Sequence, residues 1–492
     1  MTRILFIFTI IFGLTASGTN AGALSTEKDL WFPEIKTKLY SCNLKSAKSA
    51  LEQALLHNEN NPYLNRLLNH YDLLQLLFFE NESQKNIWLN EIEARISNIS
   101  NANIPDVDKY FMIAEAQLHA TTIYMVSNNE LKAVKSFKNG FNAYKTLEKL
   151  SPDSHETSEI SGLYNIFLGS VPEKYEWLIG VLGMEGDFEL GVKNLKYAFE
   201  NAKTLGDKYE IGFYYAMFSA FFTDKPETYY GYFKKLDAGL YYNPLMRQGL
   251  SMLAEASGNT EDCLSILLKN YDNQGDTEFN LLNYQIGNFL LYQLNPQAEK
   301  YLTLYKKDKT TDISNLSAER SLYWNYLITN QTKKAEAQRQ VMISLAQKEN
   351  NEQAAYIIHE LETDNPPNMH LLKARLLYNS GNYSESLAQV NQFDTETKNL
   401  RQNTEFHYRK ASINEEMEKP EVAKNYYKKT ILLGKDQIWY FAPQAALNLG
   451  KIYAAEYNND LAKRYLKLCL KINISPYKES INREAKRCLK QL

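Results

Sequence analysis

Two His-Glu dipeptides, His155-Glu156 and His359-Glu360, are of the kind that opens a zinc-protease helix. There a second histidine four residues after the first completes the metal pair and the glutamate acts as general base. The fourth positions here hold Glu159 and Thr363, so both dipeptides are expected on ordinary helix surface. Ser475-Pro476-Tyr477-Lys478 has the S-x-x-K spacing of an acylated serine, but neither S-D-N nor K-T-G occurs elsewhere, and a serine N-cap before proline explains it better. Six glycines fall between Gly162 and Gly191, at 162, 169, 180, 183, 186 and 191, where 21 in 492 would give one or two. A phosphate loop needs G-x-x-x-x-G-K-[ST], or G-x-G-x-x-G between a strand and a helix; "GVLGMEGD" has neither spacing. The seven histidines do not cluster along the chain and no G-x-S-x-G elbow is present. No catalytic residue, metal ligand or cofactor is therefore assigned, and the chain reads as a non-enzyme.

The elements that would position any site are helices. Apolar residues recur three and four apart, turns fall at Asn, Gly and Pro, and strand-like alternation is almost lacking, which makes the fold all-α. A second period runs through the small residues. Ala374 and Ser386 are 12 apart around Gly381-Asn382; Ala411 and Ala423 are again 12 apart around Lys419-Pro420; Gly450 and Ala462 repeat the spacing. Successive units start 37 and 39 residues apart. A small residue in each of two short helices lets a hairpin cross at close range, while larger neighbours such as Leu449, Tyr453 and Leu466 fill the space against the next hairpin. Weaker copies centre on Cys263, on Gly287 with Ala298, on Ala133 and on Ala47.

This pattern resembles the tetratricopeptide repeat, a helix-turn-helix of about 34 residues. The resemblance implies a superhelical array of antiparallel hairpins, an α-solenoid, and it implies that first helices line a concave binding face. That places Arg375, Tyr378, Tyr408, Ser412, Glu415 and Lys451 as candidate groove residues. The family's Lys/Asn clamp for a C-terminal carboxylate is not reproduced, because its Asn places hold Arg375, Ser412 and Lys451.

On the repeat the glycine-rich block becomes a hairpin. Ser170 is expected to cap a helix running from Pro172 to about Leu182, Gly186-Asp187 to form the turn, and Gly191 to take the small-residue place of the second helix. Gly186, Asp187 and Gly191 are thus structural turn residues. Residues 161–202 also resemble a block of the tetratricopeptide repeat protein 39 family and related bacterial proteins, through a Pro-initiated helix, a G-x-x-G-D turn and "GVKNL". No catalytic residues come with that resemblance.

Arg3, the apolar run Ile4–Leu14 and Ala21-Gly22-Ala23 form a signal peptide over 1–23, which implies export and an extracytoplasmic, periplasmic location. The rest divides into hairpins over 24–160, the atypical block 161–202, divergent repeats over 203–360 and clear repeats over 361–492. A net charge of -3 gives no footprint for nucleic acid, and no second apolar run is long enough to span a membrane. Four scattered cysteines make no disulfide framework, and helical register separates Cys469 from Cys488 by roughly 12 Å. The expected function is a scaffold that binds a peptide or protein partner of the cell envelope through its groove. The alternative is an enzyme or binding protein for cell-wall or glycan material with a site near the glycine-rich block.

Overall fold

The computed structural model describes residues 25–56, 58, 60–78, 85–127, 129–170, 186–223, 225–272, 275–307, 313–348, 352–363, 366–397, 399–472 and 477–492. The signal segment, the Pro172–Leu182 stretch and Ser475 lie outside them. Among the described residues all regular structure is helical. The chain divides into two units, with the boundary between Ile286 and Gly287.

The N-terminal unit contains α1 Ser25–Tyr40, α2 Leu44–Leu55, α3 Pro62–Leu77, α4 Lys85–Asn101, α5 Asp106–Val126, α6 Glu130–Leu150, α7 His155–Ser170, α8 Phe188–Glu200, α9 Leu205–Phe222, α10 Pro226–Phe233, α11 Pro244–Ala256 and α12 Thr260–Leu268, with a 3-10 turn at Ala238–Tyr242. Helix α13, Asn280–Tyr292, spans the boundary. The C-terminal unit continues with α14 Ala298–Lys307, α15 Ile313–Ile328, α16 Thr332–Lys348, α17 Glu352–Thr363, α18 Met369–Asn379, α19 Tyr383–Val390, α20 Leu400–Glu416, α21 Pro420–Gly434, α22 Phe441–Ala455, α23 Asn459–Lys471 and α24 Lys478–Gln491.

One turn geometry makes the hairpins in both units. The amide just before a second helix donates to the carbonyl five residues earlier, from Asn43 to Lys38, Asn259 to Ala254, Gln331 to Tyr326, Asn382 to Leu377, Lys419 to Asn414 and Asn458 to Tyr453, at 2.8–3.0 Å. The preceding residue is left-handed in each: Cys42, Gly258, Asn330, Gly381, Glu418 and Tyr457, with φ of 58°, 76°, 58°, 75°, 57° and 58°. This is the Schellman closure of a helix end, and it fixes the angle at which the chain re-enters a helix.

The small residues then meet where the helices cross. Ser386 donates its hydroxyl to the Ala374 carbonyl at 2.7 Å, and Cys263 Sγ lies 3.5 Å from the Ser251 carbonyl, each pair 12 residues apart. A Cβ on Gly450 would lie 2.6 Å from the Leu466 side chain. The glycine-rich block follows the same rule with a different partner. Gly191 on α8 crosses Gly162 on α7, where an added Cβ would sit 2.6 Å from Ile166 Cγ1 and 2.9 Å from the Gly162 carbonyl. Ser170, expected as an N-cap, is the last residue of α7. Asp187 caps α8 by accepting from the Leu190 amide at 3.1 Å.

The first helices of successive hairpins pack side by side. In the N-terminal unit α1 meets α3, α3 meets α5, α5 meets α7, α7 meets α9, and α9 returns to α1, so five first helices form a closed ring. In the C-terminal unit α15, α18, α20, α22 and α24 pack in succession as a row. Cys469 and Cys488 are thiols that share that row's buried cluster, where burial and the Cys488 thiol push Cys469 up to about 12.

Candidate functional site

The row in the C-terminal unit holds a network of arginines. Glu360 on α17 accepts from Arg401 Nη2 at 2.7 Å and lies 3.6 Å from Arg375 Nη1. Arg401 continues to Glu405 at 3.4 Å, and Arg409 donates Nε and Nη2 to Glu405 at 3.1 and 3.0 Å and Nη2 to the Tyr440 hydroxyl at 3.1 Å. The Arg375 and Arg320 guanidiniums stack on the Trp324 ring at 4.4 and 4.9 Å. Tyr356, Tyr440 and Tyr477 pack ring against ring beside them. Burial works to raise Glu405, but Arg409, Arg401 and Arg375 outweigh it and hold the carboxyl below its usual range.

The six candidate groove residues divide by cover. Arg375 is half-buried by Glu360 and Trp324. Tyr378, half-buried, donates to Glu416 at 3.2 Å beside the Tyr383 ring. Tyr408 and Ser412 are interior: Tyr408 packs on Tyr440 and Phe441, and Ser412 donates to the Tyr408 carbonyl at 3.1 Å. Glu415 accepts from Tyr427 and from Asn448 at 3.3 Å, and burial raises its pKa. Lys451, with 44% of its side chain exposed, pairs with Glu484 at 2.6 Å. Gly186 and Asp187 stand exposed at the start of α8, and Gly191 is buried.

The ring in the N-terminal unit encloses a second cluster, which sequence reasoning missed. Lys36 on α1 is completely buried and lies 2.5 Å from Asp207 and 2.6 Å from Glu210, both on α9. Asp207 also completes a capping box with Thr204, so helix initiation and ion pairing fix the same carboxylate. Arg66 on α3 grips Glu115 on α5 with Nε at 2.7 Å and Nη2 at 3.0 Å, and its guanidinium lies over the Phe111 and Phe32 rings. His70 is hydrogen-bonded through Nδ1 to the Tyr40 hydroxyl at 2.7 Å, and its Nε2 is 3.3 Å from Glu115. His119, one turn after Glu115, sets its ring 5.1 Å from that of His70. Two of the seven histidines, 49 positions apart in sequence, therefore meet in space.

Burial drives the titration here. It pushes His70 down to about 4 and His119 to about 3. It pushes Glu210 up to about 8, helped by Glu115 and Asp207 and opposed by Lys36, and it raises Glu159 on α7 with help from Glu210. The one sequence signal was α3, "PYLNRLLNHYDLLQLL", where Asn65, Arg66, Asn69 and His70 are buried with the leucines around them. His155 and Glu156, expected at the surface, are also buried, paired at 2.9 Å and joined by Lys203 at 3.2 Å.

The tetratricopeptide repeat family matches residues 443–473, the α22–α23 hairpin. No curated protein matches. Among solved structures the chain is similar to the P58(IPK) TPR domain, with 13% identity over 83% of this chain and 94% of that one and a TM-score of 0.23. It is similar to the Cut9-Hcn1 hetero-tetramer of APC/C, at 13% over 92% and 88% with a TM-score of 0.32. It is similar to the human IFIT1 dimer with PPP-AAAA, at 11% over 94% and 93% with a TM-score of 0.27. The chain thus carries a tetratricopeptide repeat at residues 443–473 within an all-α solenoid of helical hairpins. Among the described residues no helix is long and apolar enough to cross a membrane.

Proposed function

We propose that the chain is an exported, non-catalytic scaffold that holds a peptide or protein partner of the cell envelope against the first-helix row of its C-terminal unit. The observation that supports this reading is repetition on that row. Arg375 and Lys451 each follow the small crossing residue of their first helix, and Tyr378 and Glu415 stand three residues further on from Arg375 and Ser412, so polar groups recur at one register along α18, α20 and α22. Ligand-binding helices of this class present side chains in this way. Export rests on Arg3, the apolar run and Ala21-Gly22-Ala23.

The test has two arms. Fractionation should recover mature protein beginning near Leu24 outside the cytoplasm; an intact Met1 in the cytoplasm contradicts export. Crosslinking in envelope extract should capture one specific partner, and Lys451→Glu together with Arg375→Glu should weaken its binding at least tenfold, about 1.4 kcal/mol. Unchanged binding by a variant with unaltered circular dichroism would remove this face from the reading.

A further inference from the structure

We propose that His70, Glu115 and His119 are the protein ligands of a divalent-cation site of the zinc class, enclosed by the five-helix ring of the N-terminal unit. Each residue offers one donor atom, and the three atoms lie within 4.8 Å of one another. Donors around 2.0–2.2 Å from a tetrahedral zinc stand about 3.4 Å apart, so small side-chain rotations close the triangle. Two imidazoles and one carboxylate are a borderline donor set, suited to zinc and its first-row neighbours rather than to calcium or magnesium.

Two independent features point to a ligand. The first is His119: it is completely buried, and neither ring nitrogen has a hydrogen-bond partner among the described residues. A buried polar atom left unpaired is destabilising, and a coordinate bond would satisfy the lone-pair nitrogen of this ring. The second is the arrangement around the other two ligands. The Tyr40 hydroxyl engages His70 Nδ1, which leaves Nε2 turned toward Glu115 and without a hydrogen bond of acceptable geometry. Arg66 donates Nε to Glu115 Oε2 at 2.7 Å and Nη2 to Oε1 at 3.0 Å, which orients the carboxylate with Oε1 3.3 Å from His70 Nε2. Metal-binding histidines and carboxylates are ordinarily fixed by such outer partners.

The three ligands are 0–1% exposed, so a bound ion would be enclosed, with its fourth position left to a water molecule, and would brace the ring. Helices α3 and α5, which the ion joins, come from different hairpins.

The experiment uses the full, tag-free chain, stripped with chelator and titrated with Zn²⁺ and separately with Co²⁺ at pH 7.5. One equivalent of Zn²⁺ should bind with a submicromolar Kd and raise the Tm by several degrees, and Co²⁺ should give ligand-field bands of a nitrogen- and oxygen-ligated ion. His119→Ala should weaken binding roughly a hundredfold. Should that variant fail to fold, His119→Gln serves in its place, and His359→Ala is the control expected to bind as wild type. Absence of stoichiometric binding by the wild-type chain overturns the proposal. So does a cobalt-thiolate band, or full affinity in the His119 variant.

Discussion

The two units use the same hairpin, yet their inner faces carry different ionic networks. In the N-terminal unit Lys36 pairs with Asp207 and Glu210, and Arg66 with Glu115, inside a closed ring. In the C-terminal unit Arg320, Arg375, Arg401 and Arg409 gather around Glu360 and Glu405 along a row. The turn and the small crossing residues set each hairpin locally. What the inner face becomes depends on whether the last first helix meets the first one. When α9 closes on α1, polar side chains that a solenoid would offer to a partner pair with one another instead. A buried charge stranded by mutation is far more damaging than one with water or several neighbours to turn to.

The largest expected effect follows from that difference. Lys36→Ala leaves Asp207 and Glu210 buried without their cation and should destabilise the N-terminal unit by about 3–5 kcal/mol, measured by urea denaturation and amide exchange. Arg401→Ala should cost less, about 1–3 kcal/mol, because Arg375 and Arg409 still face Glu360 and Glu405. Equal losses would erase the distinction between ring and row.

The pH response should separate the units next. Glu210 is raised from 4.5 to about 8 in the folded chain, so its contribution is complete below the unfolded value and is lost as pH rises through about 8. Lys36, Asp207, Glu115, His70 and Glu159 surround it. Glu405 is lowered, so its contribution is present above about 4.5 and is lost as pH falls below that. Between pH 6 and 9, amide protection in the metal-free chain should decline in the N-terminal unit and hold in the C-terminal unit. Glu210→Gln should flatten the decline; a decline of equal slope in that variant assigns it to another group.

Gly191→Leu should cost about 1–3 kcal/mol by forcing α7 from α8 where the two glycines cross. An unaltered melting temperature would mean that the crossing has room it is not shown to have. The smallest effect is a gain. Tyr457 is 92% exposed at φ 58°, so Tyr457→Gly relieves a left-handed side chain at little packing loss and should stabilise the C-terminal unit by up to about 1 kcal/mol, read as a small rise in its urea midpoint.

The local rules were legible in sequence. Spacing by 12 identified Ala374 with Ser386 and Gly450 with Ala462, because contact across a hairpin turn is fixed by the helix repeat. Cys263 was placed for the same reason. In the glycine block Gly191 crosses Gly162 of α7, a pairing the sequence reading did not name; the Pro172–Leu182 helix it placed before the turn lies outside the described residues. The ionic interiors were not legible. Lys36 meets Asp207 across 171 positions, and His70 meets His119 across 49, so no periodicity links them. Glu360 had been weighed as half of a His-Glu dipeptide, whereas its partners Arg375 and Arg401 come from the two following first helices.

The return of α9 to α1 also sets an order in time. Lys36 is made first and its carboxylates 171 residues later, which at about 5–20 residues per second is a wait on the order of ten to thirty seconds. During that interval each hairpin can close its own turn, but α1 has no counterpart for its ammonium group and can only stay hydrated. The seam between the oldest and youngest helices of the ring is therefore the last part to assemble. Until that seam closes, the N-terminal unit is a string of hairpins.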